Sequence, residues 1–365
     1  MGTVLAGLNI VFFNVIVPIL ILSFLIFIHE LGHYLSARWI KAEIKEFAVG
    51  MGPKLFSVRS RKTNILYAIR AIPMGGSLTL VGEDEHSDSA NAFSKKPVWK
   101  RFLMIVSGSV MNLLLGFIIM AVMISGAEAF HSTRILRFEP LATSNDSDSG
   151  LGLMAGDQIV RINNKRINVF NDIAFALFRE GGDPVSVTVL RNGERIVVEN
   201  VRFPVEAEGS ISFGSIDFRT EPDITTPLVV LRQTFFESLA LVDMVWTSFF
   251  DLITGRFGME AMSGPVGITQ VIGDSAREAV TSDSRGASRS FLFLVALITI
   301  NLGVMNLLPI PALDGGRIVF LAIELVRRKP LNPEYEGYVH LAGFALMIIL
   351  MIVVTYQDIM QLIVG

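Results

Sequence analysis

The sequence predicts a polytopic α-helical membrane protein with four transmembrane helices and one inserted α+β domain outside the membrane. Hydrophobic residues make up 51% of the 365 residues and charged residues only 18%. The mean hydropathy of +0.54 is too high for an ordinary soluble protein of this length. Long apolar segments alternate with polar ones, and one internal region changes to the short alternating pattern of strands and turns. The net charge of -3 makes nucleic acid an unsuitable partner, and the lack of cysteine excludes thiolate metal ligands.

Crossing the hydrocarbon core takes about 20 apolar residues. Four segments meet this requirement: about 8–29, about 102–125, about 291–310 and about 338–356. Lys and Arg are concentrated between the first two segments and again after the third, as in Arg327-Arg328-Lys329. Because basic loops remain on the cytoplasmic side, residues 127–290 and both termini are expected to be extracytoplasmic.

The extracytoplasmic region carries its own secondary-structure signals. Val185–Leu190 and Arg195–Val198 alternate around an Asn192-Gly193 turn, which predicts a β-hairpin. Residues 228–257 form an apolar segment with scattered charges, and we interpret it as an amphipathic helix on the outer membrane surface or against the spans. The segment 274–290, rich in Ser, Asp and Arg, is predicted to be a loop.

The first span ends in His29-Glu30-Leu31-Gly32-His33. On a helix, this spacing puts two imidazoles on one face, where both can bind one zinc ion, and Glu30 can then act as a general base on bound water. Ionisable groups are costly at membrane depth and indicate function there. In contrast, His340 in the fourth span is expected to pack near the cytoplasmic interface.

Catalytic zinc takes three protein ligands, so a third polar group is expected at the same depth. Asp314 follows the third span at its cytoplasmic end, within Asn306-Leu-Leu-Pro-Ile-Pro-Ala-Leu-Asp314-Gly-Gly. Pro309 and Pro311 break the helix there, and irregular backbone at membrane depth is tolerated only inside protein or beside a watery cavity. Asp314 would complete a His-His-Asp set.

The HExxH motif in the first span, together with the NxxPxPxLDGG motif at the third, resembles the site-2 protease family of intramembrane zinc metalloproteases. The resemblance covers nearly the whole chain and is nearest to the bacterial branch that includes the regulator of sigma-E protease. It implies Zn²⁺ bound by His29, His33 and Asp314, with Glu30 as the catalytic base. It also implies a bacterial inner-membrane location and regulated intramembrane proteolysis. The implied substrates are single-span membrane proteins already cleaved outside, such as anti-sigma factors, or signal-peptide remnants.

Further stretches agree with that family. Ile72–Leu80 resembles its membrane-re-entrant β-hairpin, placed here at about 64–81 around a Pro/Gly turn, which is thought to present substrate as an added strand. By that resemblance Gly75, Gly76 and Ser77 bind substrate. Asn306, Pro309 and Pro311 match positions that line the family's substrate groove.

One further motif lies outside the membrane part. Gly152–Asn163 resembles the GLxxGDxIxxIN stretch of bacterial PDZ domains. The predicted organisation is an N-terminal membrane part (1–126), a single PDZ-like domain (127–206), an extracytoplasmic linker with the amphipathic helix (207–290) and a C-terminal membrane part (291–365).

Two alternatives remain open. A membrane zinc protease that cleaves exposed loops would take its third ligand from a Glu soon after HExxH, and Glu43 and Glu46 are available. A non-catalytic membrane scaffold would use only the PDZ domain. The context of Asp314 disfavours the first alternative, and the intact Glu30 disfavours the second.

Overall fold

The structure is a computed structural model. It describes residues 9, 11–83, 87–139, 143–144, 152–208, 211–256, 264–282, 284–329, 331 and 333–364. Two compact units are present. The first combines Met1–Ile119 with Met262–Gly365, and the second is Met120–Ala261.

The helices, in chain order, are α1 (Val17–Trp39), α2 (Val98–Ser125), α3 (Phe170–Glu180), α4 (Pro227–Ile253), α5 (Pro265–Thr281), α6 (Arg285–Asn306), α7 (Asp314–Arg327) and α8 (Pro333–Val364). A π-helical turn, Phe12–Ile16, leads into α1. Among the described residues, four helices are long and apolar enough to cross a membrane, within Phe12–Trp39, Val98–Ser125, Arg285–Asn306 and Tyr335–Met360. The prediction of four membrane-spanning helices is thus confirmed by length and composition.

All four predicted spans differ from the observed helices at one or both ends, and two of these differences concern the candidate site. The first helix continues past the HExxH motif to Trp39, so the motif lies within the helix and not at its end. The third helix stops at Asn306, four residues before the predicted limit. Pro309 and Pro311 account for that stop, because proline lacks the N–H that a continuing helix needs.

The strands are β1 (Ile44–Arg59), β2 (Leu66–Leu80), β3 (Ala129–Phe138), β4 (Gln158–Ile162), β5 (Lys165–Arg166), β6 (Val185–Arg191), β7 (Glu194–Val201), β8 (Val205–Glu208), β9 (Ile211–Gly214) and β10 (Phe218–Ile224). In the first unit, β1 pairs with β2. Segment 44–49 pairs with 76–80, segment 54–59 pairs with 66–70, and 46–49 also lies beside 66–69.

The prediction of a hairpin within 64–81 is therefore wrong in its pairing. The two halves of that segment pair with β1, on either side of 46–49, and the chain reverses between Arg59 and Leu66. The sequence did not predict β1, because the glycines and the proline of Gly50-Met51-Gly52-Pro53 interrupt the pattern of a strand. A buried apolar cluster joins this sheet to the helices around it and includes Ala37 of α1, Leu80, Met104 of α2 and Leu321 of α7.

The second unit contains a sheet with strand order β10-β3-β4-β6-β7, and β5 pairs with β4. The predicted hairpin is present as β6 and β7, with Asn192 and Gly193 at φ +51 and +88. Positive φ at both positions is what a two-residue type I′ turn requires. The sheet and α3 enclose an apolar core that includes Ile135, Ile159 and Ile173. This β-rich arrangement is consistent with a PDZ-like domain.

Helix α4 packs against α3 within the second unit. Asn171 Nδ2 donates to Glu237 Oε2 at 2.7 Å, and Arg179 Nε donates to Asp251 Oδ2 at 2.6 Å. Large apolar side chains such as Phe235 remain exposed on α4, as an amphipathic helix requires.

The predicted loop at 274–290 is wrong over most of its length. Residues 274–281 end α5 and residues 285–290 begin α6. Its polar composition reflects the exposed faces of these two helices, several of whose residues are accessible to solvent.

Candidate metal centre and active site

Three potential ligands converge in the first unit. His29 and His33 lie one turn apart on α1, and Asp314 is the first residue of α7. The Oδ2 atom of Asp314 lies 3.1 Å from His29 Nε2 and 3.2 Å from His33 Nε2. The two Nε2 atoms are 3.1 Å apart. Both imidazoles are buried, and Asp314 is partly buried. The structure thus brings together residues 285 positions apart in the sequence.

These three atoms fit a zinc ion. Ligands at about 2.0–2.1 Å from zinc in a tetrahedron are separated from each other by about 3.3 Å. The three observed separations of 3.1–3.2 Å are close to that value. Two imidazole nitrogens and one carboxylate oxygen form a ligand set typical of catalytic zinc, and they leave a fourth position for water.

Hydrogen bonds on the far side of both imidazoles orient them toward this centre. The Nδ1–H of His33 donates to the backbone carbonyl of Met104 at 2.9 Å, which leaves Nε2 as the atom that could bind a metal ion. His29 Nδ1 lies 3.4 Å from the amide nitrogen of Asn112 on α2. The Oδ1 atom of this buried Asn112 has no hydrogen-bond partner. Exchanging the two amide atoms, which are nearly equal in size, lets Oδ1 accept the His29 Nδ1–H.

Two glycines allow α1 and α2 to approach closely at this point. A Cβ atom on Gly32 would lie 2.4 Å from the carbonyl oxygen of Ser107. A Cβ atom on Gly108 would lie 2.4 Å from His33 Nε2 and 2.8 Å from His29 Cε1. Small residues permit such close helix packing in membranes. The metal centre therefore occupies space that any larger side chain at position 108 would fill.

Two ion pairs hold α7, the helix that carries Asp314. Arg317, one turn along α7, pairs with Glu83 in the loop that follows β2. Arg101 Nη2 at the start of α2 lies 2.5 Å from Glu324 Oε1 near the end of α7, and both side chains are at least 85% buried. Pairs removed from solvent in this way fix geometry more than they add stability. They connect the helix that carries Asp314 to the N-terminal half of the chain.

Glu30 lies next to the strand segment predicted to hold substrate. A Cβ atom on Gly76 would lie 2.6 Å from Glu30 Cγ, so only glycine fits opposite this side chain. Gly75 has φ +87, which favours glycine, and Ser77 pairs with Ala48 of β1. In the described part of the chain, segment 76–80 pairs on one side only. A strand edge thus runs past the candidate base.

The other three predicted substrate residues lie around the turn between α6 and α7. Asn306 is the last residue of α6 and is partly buried. Pro309 is exposed, whereas Pro311 packs against Gly343 of α8. The structure therefore places Gly76 beside Glu30 and Pro311 against another helix.

The alternative third ligands lie elsewhere. Glu46 accepts hydrogen bonds from Lys54 Nζ at 2.5 Å and from Arg70 Nη2 at 2.7 Å. Glu43 accepts one from Ser89 Oγ at 2.5 Å. Both carboxylates are thus hydrogen-bonded at the sheet surface. Asp314, which the sequence analysis favoured as the third ligand, is the carboxylate that lies with His29 and His33.

The predicted site residues include none from α2, which contributes three residues around the centre. Met104 contributes only a backbone carbonyl, which no side-chain pattern could indicate. Asn112 had a signal, since a buried amide at mid-span requires a hydrogen-bond partner. Gly108 could have been suspected from its position between small residues in Ser107-Gly108-Ser109.

A pair of helical histidines and a distant aspartate, clustered within an apolar helical membrane part beside an intact glutamate, define a membrane-embedded metallopeptidase. Residues 17–350 match peptidase family M50. The chain therefore belongs to peptidase family M50, the site-2 protease family, and is a zinc metalloprotease with Zn²⁺ as its cofactor. Its four apolar helices are those of a multi-pass membrane protein.

Relatives are similar over almost their entire length. A candidate zinc metalloprotease of Clostridium acetobutylicum is 33% identical, with 95% of this chain and 98% of the relative covered. A candidate zinc metalloprotease of Fusobacterium nucleatum is 34% identical, with 95% and 98% covered. The regulator of sigma-W protease RasP of Bacillus subtilis is 29% identical, with 96% and 99% covered.

Proposed function

We propose that this protein is an intramembrane zinc endopeptidase that cleaves the transmembrane segments of single-span membrane proteins. The observation that carries the proposal is the mutual approach, to 3.1–3.2 Å, of two histidines within an apolar helix and Asp314. In this proposal His29, His33 and Asp314 hold the zinc ion and Glu30 is the catalytic base. A charged cluster at this depth is costly and is retained for function.

The bound zinc ion would lower the pKa of a water molecule and polarise the scissile carbonyl. Glu30 takes the proton from that water and passes it to the nitrogen of the departing amine. Met104 and Asn112 keep the two imidazoles in the required tautomer through this proton movement. The water oxygen adds to the carbonyl carbon, the bond from that carbon to the amine nitrogen breaks, and a carboxylate and a free amine are released.

A transmembrane helix hides its own peptide bonds, so substrate must unwind before cleavage. The free edge of segment 76–80 offers backbone groups with which an extended segment can pair, and Gly76 brings that edge to Glu30. Gly75, Gly76 and Ser77 would hold one side of the extended segment. Asn306, Pro309 and Pro311, at the break between α6 and α7, would hold the other.

The proposed orientation puts the basic loops in the cytoplasm and residues 127–290 outside, as the distribution of Lys and Arg favours. The β-rich unit then acts as a PDZ-like size filter that admits substrates already shortened by another protease. Membrane-anchored anti-sigma factors and signal-peptide remnants fit this description. The naming of the Bacillus subtilis relative as a regulator of sigma-W supports the first class.

The test compares wild type with Glu30→Gln on a single-span substrate that has a short outer stump. Cleavage sites are mapped by mass spectrometry, and bound zinc is counted in both proteins. We expect cuts inside the apolar segment, a rate at least about 100-fold lower for the variant, and equal zinc content. Equal rates would refute the role of Glu30, and cuts confined to exposed loops would refute intramembrane cleavage.

A matched substrate with a folded outer domain tests the size filter. We expect wild type to cleave it far more slowly than the short one. Equal cleavage of both substrates would contradict the filter while leaving the zinc mechanism intact.

A further inference from the structure

The fourth membrane helix contacts the loop that leads to Asp314. The backbone N–H of Ala312 donates to His340 Nδ1 at 2.9 Å. One turn further along α8, a Cβ atom on Gly343 would lie 2.4 Å from Pro311 Cβ and 2.7 Å from the Pro311 oxygen. Positions 340 and 343 share one face of α8, because residues three apart on a helix are neighbours. Two consecutive loop residues are thus fixed by one helix face.

The conformation of this loop needs such support. Ala312 has φ +77, a left-handed conformation that costs a non-glycine residue about 1–2 kcal/mol. Pro311 fixes its own φ and has no N–H to donate. Within the turn, the N–H of Leu313 donates to the Ile310 oxygen at 3.2 Å, and the N–H of Ala312 is the donor that reaches outside it, to α8. The hydrogen bond to the His340 imidazole stabilises the turn two residues before Asp314 and offsets part of the cost of the left-handed conformation.

The loop backbone packs directly against the start of α7, where Asp314 lies. A Cβ atom on Gly315 would lie 2.0 Å from the Leu308 oxygen, and one on Gly316 would lie 2.6 Å from the Ile310 oxygen. The start of α7 is thus packed directly against the loop backbone. A displacement of this loop would therefore shift the start of α7, which carries Asp314.

His340 contacts α7 as well as the loop. Its ring lies 5.6 Å, centroid to centroid, from the ring of Phe320. The imidazole therefore bridges the two segments that flank Asp314. Because Nδ1 accepts from Ala312, the ring carries its proton on Nε2, and Nδ1 is not available as a metal ligand.

We propose that His340 is a positioning residue for Asp314, and that the cytoplasmic end of α8 serves as the support of the third zinc ligand. The proposal rests on the proposed function in one respect, that Asp314 binds zinc. His340 acts through the loop and touches neither metal nor substrate. The fourth span then contributes to catalysis without providing a ligand.

Three substitutions at position 340 in the full-length protein test this proposal. In His340→Asn, an acceptor oxygen takes nearly the place of Nδ1, whereas His340→Leu fills similar space without an acceptor. His340→Gln places its acceptor one bond further from the backbone. We measure the rate of zinc loss to a chelator, kcat and KM for each. Leu341→Ala, at a position 65% exposed on the same helix, is the matched control.

We expect His340→Leu and His340→Gln to lose zinc about 10–100-fold faster than wild type, as for other outer-shell partners of metal ligands. Their kcat should fall while KM stays the same, because the loss concerns the reacting centre. His340→Asn should be within about threefold of wild type, since it retains the acceptor. Wild-type zinc retention by His340→Leu, or equal damage in His340→Asn and His340→Leu, would overturn the proposal.

Gly343→Ala provides a second route that leaves His340 in place. It pushes Pro311 away from α8, so we expect the same faster zinc loss with unchanged His340. Wild-type zinc retention in this variant would count against the support role of α8. The zinc measurement also separates the two proposals. Undiminished cleavage by Glu30→Gln would refute the proposed function, whereas the zinc retention of the His340 variants would be unaffected by that result.

Discussion

Adding a single methyl group at Gly108 tests the geometry of the metal centre most directly. The new Cβ atom would lie 2.4 Å from His33 Nε2, whereas ordinary van der Waals contact begins at 3.4 Å. One partner must therefore move by about 1 Å. The His33 ring cannot move freely, since its Nδ1–H donates to Met104 and its Nε2 faces Asp314. Functional zinc distances tolerate only about 0.2 Å.

We expect Gly108→Ala to weaken zinc binding at least about 100-fold and to lower cleavage in proportion. Zinc affinity is measured by competition with a chelator in detergent, and cleavage is measured on the short single-span substrate with zinc in excess. Gly126→Ala is the matched control, because its new Cβ would have no neighbour closer than 3.6 Å. Wild-type zinc affinity in Gly108→Ala would refute the close approach of α2 to the centre.

Three further outcomes are expected. Asp314→Ala should reduce zinc content to well below one ion per chain while the helices persist by circular dichroism, and full zinc content would exclude Asp314 as a ligand. Burial raises the pKa of Glu237 to about 7, although hydrogen bonds from Asn171 and Gln233 favour the charged form. The folded state thus binds an extra proton between about pH 4.5 and 7, and the stability of α4 should fall by about 3 kcal/mol as the pH rises through that range. Hydrogen exchange of α4, corrected for its intrinsic rate, should show this fall in wild type and a clearly smaller fall in Glu237→Gln. The carboxylate of Asp358 accepts from the backbone N–H of Gly264 at 2.9 Å, so Asp358→Ala should destabilise the start of α5 by about 1–3 kcal/mol, and equal exchange there in both proteins would contradict this contact.

The prediction succeeded where the signal is local. Four runs of apolar residues indicate four spans because the ability of a helix to cross the hydrocarbon core depends on its length and its composition, and both can be read from the sequence. The Asn192-Gly193 turn indicates its hairpin because only a few residue types adopt positive φ at both central positions. Asp314 was predicted as the third ligand because a charge at membrane depth is costly and is rarely kept without a function. The structure places it beside His29 and His33, and its binding of zinc stays a prediction.

The prediction failed where pairing is between distant segments. β1 was not predicted because its glycines and proline are typical of a loop. Its pairing with two separate parts of β2 is a long-range arrangement that no local pattern indicates. The boundary of α6 was four residues too late because hydropathy continues through Leu307 and Leu308 after the hydrogen-bond ladder has stopped. The role of His340 was missed because its partner is a backbone N–H, which leaves no mark in side-chain patterns.

The sequence by itself determined the class of protein, the four spans and the set of candidate zinc ligands, since these follow from residue type, spacing and hydropathy. Only the tertiary structure decided how these three side chains meet. Asp314 reaches His29 across 285 positions because Gly32 and Gly108 admit close helix packing, and because ion pairs and α8 hold α7 in place. Backbone carbonyls are alike in every residue, and N–H groups in every residue except proline, so contacts such as Met104 with His33 become specific only in three dimensions.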